Sequence, residues 1–269
     1  MTEEQTREGR VIDLSVEVPG TVEEVWAAIS TGPGIGSWFV PHELEERAGG
    51  AATMDFGDWG TDTATVTAFE PPHRIELTSH GDRALAYEWT VEARDGGTCV
   101  VRLVNSGFGP GEDWDADYDA MTQGWRTFLA NLRAHLAHFP GRTAQPCVPN
   151  GWTPGPHDTA WQTFCRVIGA DPGLRAGDAF ATGGDGADPA VPVERGRVEQ
   201  VLIEPGTLTA YVVLLAEPVP GTAIVIAEGA GDRVLVGFQR YSYPSATTGP
   251  AVTAWQPFFR ERFPLDAQP

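Results

Sequence analysis

Lysine is absent: all 18 basic residues of the 269-residue chain are arginine. A P-loop needs a lysine at its phosphates and a Schiff base needs a lysine amine, so both chemistries are excluded. Basic charge is scarce altogether, with 37 Asp and Glu against those 18 arginines and a formal net charge of −19. A surface so acidic argues against nucleic acid and anionic membranes as partners, because both bind through counter-charge. Cysteine is scarce as well. Cys99, Cys147 and Cys165 are widely spaced and odd in number, which fits neither a disulfide framework nor a zinc site. No run approaches the roughly 18 apolar residues of a spanning helix. The start, MTEEQTREGR, has no apolar signal-peptide core, so a cytoplasmic location is expected. The arginine-only base set, with its Ala, Gly, Pro and Asp bias, points to a GC-rich bacterial genome.

Catalytic motifs are missing too. The six histidines (42, 73, 80, 135, 138 and 157) form no His-Glu-x-x-His pattern and no pairing with cysteine. Gly-x-Ser-x-Gly does not occur, and the Gly-rich stretch GGDGADPA opens no apolar helix that would cradle a phosphate. Neither a metal nor a cofactor is expected. His135 and His138 are read as favourable charges near the end of a long helix.

What is present is a core: 41% hydrophobic and 10% aromatic residues exclude wholesale disorder. Ile12, Leu14, Val16 and Val18 alternate over 11–18, as a half-buried strand requires. Thr21 and Glu24 have capping-box spacing, and Val22, Val25, Trp26 and Ile29 follow at helical intervals. Six strand-like segments come next, over 40–47, 51–56, 61–70, 73–80, 84–93 and 98–107, divided by turn residues such as Gly49-Gly50, Pro71-Pro72 and Asp95-Gly96-Gly97. Such short connections predict an antiparallel meander. The fifth segment places Leu85, Tyr87, Trp89 and Val91 on one face; the sixth does the same with Cys99, Val101, Leu103 and Asn105. A long helix over 114–139 closes the half. Its stripe of Trp114, Tyr118, Met121, Trp125, Phe128, Leu129, Leu132, Leu136 and Phe139 opposes Asp115, Asp119, Arg126, Arg133 and Ala134.

This order of elements resembles the START-like (SRPBCC) superfamily, and within it the heat-shock-protein ATPase activator homologues. The residues that carry the likeness are Pro19, Val25-Trp26, Trp38-Phe39, Gly49-Gly50, Glu70-Pro71-Pro72, Gly97-Thr98, Ser106-Gly107-Phe108 and Gly124-Trp125. The resemblance implies an α+β helix-grip fold, a curved antiparallel sheet around the long helix with a cavity between them. It places Trp26, Trp38, Phe56, Tyr87, Trp89, Met121, Trp125 and Phe128 around that space, although core packing alone would also account for such residues. Leu103 and Asn105 fall on the inward face of their strand, and His42 precedes Leu44 and Glu46 on another. His42 and Asn105 would be the polar anchors of an otherwise apolar pocket, with Tyr118 and Asp117 as candidates for its mouth and a solvated face as the other reading of Asp117.

The second half reads as a worn copy of the first. Trp161 answers Trp26, Pro172-Gly173-Leu174 answers Pro33-Gly34-Ile35, and Glu204-Pro205 answers Glu70-Pro71. Strand-like runs at 207–216, 222–228 and 232–241 lead to a closing helix over 252–263, where WQPF echoes WRTF of the first half. Pro257 is tolerated only in a first turn, so that helix is expected to start near Trp255 and to be short. The counterpart of the first strand, QPCVPNGWT, is too proline-rich for a central strand. The domain reading is therefore a helix-grip unit over 1–140, a Pro/Gly-rich linker over 141–157 and a degenerate second unit over 158–269, with a smaller or filled interior. An unrelated α+β extension is the alternative.

Three functions remain open. The resemblance implies non-catalytic binding of a hydrophobic or aromatic, polyketide-like small molecule, as in antibiotic sequestration or self-resistance. A polyketide cyclase or aromatase of the same superfamily would need an acid or base such as His42, Glu88 or a water held by Asn105. Strand alternation turns Glu88 away from Tyr87 and Trp89. A chaperone-activator-like interaction module is the third.

Overall fold

The alternation over 11–18 produces β1 (Ile12–Pro19), an edge strand of a seven-stranded sheet. The computed structural model describes residues 10–243 and 254–265 of the chain. After β1, Thr21 caps α1 (Val22–Ser30): its hydroxyl accepts from Glu24 N at 3.2 Å, and its own N–H donates to the Glu24 carboxylate at 2.9 Å. Helix α1 buries Val25, Trp26 and Ile29, and the single turn α2 (Gly32–Ile35) follows.

The meander is β2 (His42–Leu44), β3 (Ala51–Asp55), β4 (Thr61–Glu70), β5 (Arg74–Ser79), β6 (Ala86–Arg94) and β7 (Thr98–Ser106). Strand order is β1-β7-β6-β5-β4-β3-β2, antiparallel throughout. A register shift between Val66 and Ala68 in β4 marks a bulge, the device by which a strand bends. Helix α3 (Glu112–His138) runs along β1. Its C-terminal half is buried over more of its circumference than a single stripe: Ala134, expected on the polar side, and His135, read as a helix-end charge, are 5% and 3% exposed. Periodicity could not anticipate this, because alanine and histidine serve on either face.

The second half builds its own sheet from β8 (Gln145–Cys147), β9 (Asn150–Pro154), β10 (Ala179–Ala181), β11 (Arg195–Glu204), β12 (Leu208–Glu217), β13 (Gly221–Glu228) and β14 (Arg233–Ser242). Helix α4 (His157–Ile168) follows β9, and α5 (Trp255–Arg262) closes the unit with Pro257 in its first turn. Of the helix expected over 252–263, Val252 and Thr253 lie outside the described residues. The connectivity is that of the first unit. Its opening strands β8 and β9 pair antiparallel with its last strand β14, as β1 pairs with β7.

Residues 145–154, within the stretch expected as a linker, thus supply strands at the edge of this sheet. Proline is tolerated there because an edge strand needs only half of its backbone groups in the ladder. Pro149 sits at the break between β8 and β9, and its carbonyl still accepts from Phe238 N at 3.4 Å. Two compact units result, and the break falls between Gly141 and Arg142. Two short segments of the first half, Gly36–Val40 and Gly57–Trp59, group with the second unit.

The interior of the second unit is packed with rings. Trp255 stacks on Phe238 at 3.7 Å and 8°, Phe164 meets Phe259 and Phe263 edge-on, and Trp161 meets Tyr211 at 4.9 Å. Among them lies a buried ion pair. Glu194 and Arg240 are each 1% exposed. Arg240 Nε donates to Glu194 Oε1 at 2.7 Å and its Nη2 to Oε2 at 3.1 Å; its other N–H groups reach Val219 O and the Ser242 hydroxyl. Glu194 Oε1 also accepts from Trp255 Nε1 at 3.1 Å. Burial pushes the Glu194 carboxyl above the usual range, against the opposing pull of Arg240.

Removing one partner of such a pair leaves a buried charge uncompensated, at a cost of about 3–5 kcal/mol. Arg240→Met should lower the urea-unfolding free energy by about that much, and adding Glu194→Gln, which keeps an acceptor for Trp255, should restore most of it. Equal stability of the single and double variants would show that the pair is not the cause.

Candidate functional site

Strand register aligns the inward side chains of the first sheet in rows. Tyr87 of β6 lies between Leu77 of β5 and Asn105 of β7, and Asn105 in turn lies beside Ile12. Trp89 lies between Ile75 and Leu103, with Leu14 beyond. Trp125 of α3 reaches into these rows, 5.4 Å from Trp89 and 6.0 Å from Tyr87, both edge-on, with Phe128 at 6.4 Å. Its indole N–H donates to Asn105 Oδ1 at 3.3 Å, and Asn105 Nδ2 donates to Ala86 O at 3.0 Å. The chain itself therefore supplies partners for both ends of the Asn105 amide, and this amide sets the rotation of Trp125.

Burial across the cluster is uneven. Trp89, Leu103, Asn105 and Trp125 are buried, whereas Tyr87, Met121 and Phe128 are only half-buried. Met121, Trp125 and Phe128 stand at i, i+4 and i+7, one face of α3. Half-burial of the two flanking residues means that this helix face is not sealed on either side of Trp125.

The other expected residues lie elsewhere. The ring of Trp26 packs on Phe69 of β4 at 5.5 Å. Trp38, 1% exposed, belongs to the Gly36–Val40 segment that groups with the second unit. There Ser37 O accepts from the Tyr243 hydroxyl at 3.1 Å, and Ser37 Oγ accepts from Ala144 N at 2.9 Å. Phe56 is half-buried just after β3. His42 is on β2, the opposite edge strand, with β3, β4 and β5 between it and β6.

Burial pulls the His42 imidazole down to about 4. It is neutral at neutral pH and a weak base, whereas a general base works best with a pKa near the operating pH. Glu88 points to the outer face, where its carboxylate accepts from Arg74 Nε at 2.6 Å; Glu70, at 2.9 Å, and Glu76 hold the same guanidinium. Burial, aided by the charge of Asp62, pushes the Tyr87 phenol up to about 12, so it remains a hydroxyl.

Tyr118 and Asp117, expected at a mouth, belong to a cluster around the start of α3. Arg83 lies 3.9 Å over the Trp114 ring and pairs with Asp117 at 2.8 Å. Phe108 packs edge-on against Trp114 and Tyr118, and the Tyr118 hydroxyl donates to Val11 O at 3.2 Å. Any Cβ at Gly109 would lie 2.4 Å from the Trp114 indole, so the ring needs glycine there. The run SGFGPG is the available signal for this cluster; from the sequence, its Ser106-Gly107-Phe108 carries only the family likeness. Glu228, also missed, closes β13 and is pushed up to about 7 by burial. A lone Glu at the end of the apolar run TAIVIA was its mark. Among the described residues, no three His, Cys, Asp or Glu side chains gather as a metal would need, and no helix is long and apolar enough to cross a membrane.

The fold and this face define an α+β protein of the helix-grip class, with an aromatic cluster between the sheet and the long helix. Residues 19–137 match the family model described as Activator of Hsp90 ATPase homolog 1-like protein, the family that the sequence resembles. No curated protein matches the chain. Among solved structures, MLL2253 of Mesorhizobium loti is 22% identical with a TM-score of 0.43, over 48% of this chain and 98% of its own. The di-domain ARO/CYC BexL from the BE-7585A biosynthetic pathway is 13% identical with a TM-score of 0.45, over 97% of this chain and 100% of its own. DynU16, a putative protein in the dynemicin biosynthetic locus, is 14% identical with a TM-score of 0.43, over 92% and 98%. None of these likenesses assigns an activity.

Desolvation of His42 and His135 makes stability depend on pH. Burial holds His135, like His42, at about 4 in the folded chain, against 6.5 for the free side chain. His135 is thus neutral at pH 7 and is not the helix-end cation that its position suggested. Above pH 6.5 both states are neutral and this contribution is complete. Between 6.5 and 4 the unfolded chain takes up protons that the folded chain refuses, so stability falls by up to about 1.4 kcal/mol per pH unit for each histidine. Urea melts at pH 7, 6 and 5 should show this loss, and His135→Gln should flatten the slope by about half. A variant slope as steep as that of the natural protein would remove His135 from the account.

Proposed function

We propose that the first unit binds a flat, polycyclic aromatic small molecule beside Trp125, between β6, β7 and α3, and holds it without converting it. The observation that carries this reading is the half-burial of Tyr87, Met121 and Phe128 around a buried Trp125. Aromatic and thioether side chains left partly open on an inward face gain from a ligand that covers them, at roughly 25 cal/mol per Å² of apolar surface. The Tyr87 hydroxyl is the polar group at that margin. The indole of Trp125 is already fixed by Asn105, so the face is preorganised for stacking. Non-catalytic holding is favoured because His42 is too weak a base near pH 7 and Glu88 is bound on the outer face. In a GC-rich bacterium, sequestration of a polyketide-like antibiotic is the role that suits such a binder.

Titration with 1,4-dihydroxyanthraquinone should quench tryptophan fluorescence saturably and shift the Trp125 and Trp89 indole N–H resonances. Tyr87→Ala and Phe128→Ala should each weaken binding about tenfold, which corresponds to about 1.4 kcal/mol. The probe should be recovered unchanged after long incubation. Absence of saturable quenching, with no shift at Trp125, would overturn the reading; conversion of the probe would favour the cyclase or aromatase alternative.

A further inference from the structure

On the second unit a cleft of about 350 Å³ opens beside α5 and β9, at the small end of the 300–1,000 Å³ range usual for ligand sites. Its polar lining is Asp58, Asn150, Gln256 and Arg260, over the apolar Phe259 and Phe263. All six belong to the second compact unit, Asp58 through the Gly57–Trp59 segment.

The polar groups are held in place by one another. Asp58 accepts from Arg260 Nε at 3.1 Å, from Arg260 Nη2 at 2.8 Å and from Gln256 Nε2 at 3.1 Å. Asn150 Oδ1 accepts from Gln239 Nε2 at 3.0 Å, while Asn150 Nδ2 donates to Val148 O at 3.2 Å. Behind this wall, Gln239 Oε1 has no hydrogen-bond partner among the described residues, although the side chain is 7% exposed. Among the described residues, the lining thus keeps capacity of both kinds: the Arg260 Nη1 donors, the Gln256 Oε1 acceptor and the remaining lone pairs of Asp58.

Charge narrows the ligand class. Arg260 and Asp58 neutralise each other, so the lining carries no net charge to attract an anion or a cation. What suits paired planar donors and acceptors is a neutral molecule with several hydroxyls. An aromatic platform stands close by. Trp59, next to Asp58 in the chain, is 50% exposed and lies edge-on to Trp152 at 5.6 Å; Arg233 covers the Trp152 ring at 4.7 Å. The open half of the Trp59 indole is apolar surface that gains from being covered. The C–H faces of a sugar ring are apolar and complement the electron-rich face of an indole.

The geometry points to a binding site for a neutral sugar ring in this cleft, with Asp58, Gln256 and Arg260 taking its hydroxyls and Trp59 its apolar face. The site shares no residue with the aromatic cluster of the first unit, and it stands whether or not that cluster binds a ligand. The test is an NMR titration of the full chain with methyl β-D-glucopyranoside and methyl α-L-rhamnopyranoside, and with benzoate as an aromatic anion. At least one glycoside should shift the indole N–H signals of Trp59 and Trp152 and the side-chain amide of Gln256 saturably, with a millimolar dissociation constant. Arg260→Ala and Trp59→Ala, both at exposed positions, should weaken that binding about tenfold while thermal unfolding and anthraquinone titration stay as in the natural protein. No saturable shift with either glycoside, the same shifts with benzoate, or undiminished binding in both variants would each overturn the proposal.

Discussion

In each unit a tryptophan of the closing helix donates its indole N–H to a buried side chain. Trp125 donates to Asn105, and Trp255 donates to Glu194. A buried N–H without an acceptor costs about 1–3 kcal/mol, so this bond constrains how the helix may rotate over the strands. The spacing Trp-x-x-Phe then carries Phe128 or Phe258 to the same face one turn later, 6.4 or 5.6 Å from its tryptophan. The repeated helix sequence therefore preserves a bond and a ring contact.

The acceptor decides what each interior becomes. An amide is neutral, and Asn105 needs only the Ala86 carbonyl beside it to be satisfied. Little else is drawn in, and Tyr87, Met121 and Phe128 remain half-buried. A carboxylate in the same role must be neutralised. Glu194 brings Arg240, and Arg240 in turn needs Val219 O and the Ser242 hydroxyl. That demand also ties the segment before β11 to the sheet, since Glu194 N donates to the Thr182 hydroxyl and Thr182 N to Glu194 O. The second interior is consequently occupied by its own polar network and stacked rings, and its candidate binding surface lies outside, at α5.

Much of the architecture was legible in the chain itself. Alternation located β1 and the meander, the Thr21 and Glu24 spacing marked the capping box, and Pro257 fixed where the last helix could begin. Misreadings arose where local composition and tertiary context disagree. Proline-rich QPCVPNGWT looks like linker because proline weakens strands in general, yet at a sheet edge the missing N–H costs nothing. Ala134 sits on the polar side by periodicity, yet it is buried because α3 is enclosed over more than one stripe. Within the expected site, Trp89, Tyr87, Leu103, Asn105, Trp125 and Phe128 converge, whereas Trp38 groups with the second unit and His42 stands on the far edge strand.

By itself, the sequence determined the α+β class, the order of strands and helices in the first half, echoes of that order in the second and the exclusion of lysine chemistry. These follow from local properties: side-chain periodicity, turn residues and residue types that are present or absent. Only the tertiary structure decided the partners. That Asn105 is held by Trp125 and Ala86, that Glu88 is bound to Arg74, and that Asp58 meets Arg260 some 200 positions later all depend on strand register and chain return. A polar side chain carries the same donors and acceptors wherever it stands, and whether it anchors the core or faces a ligand is settled by what the fold brings within about 3 Å of it.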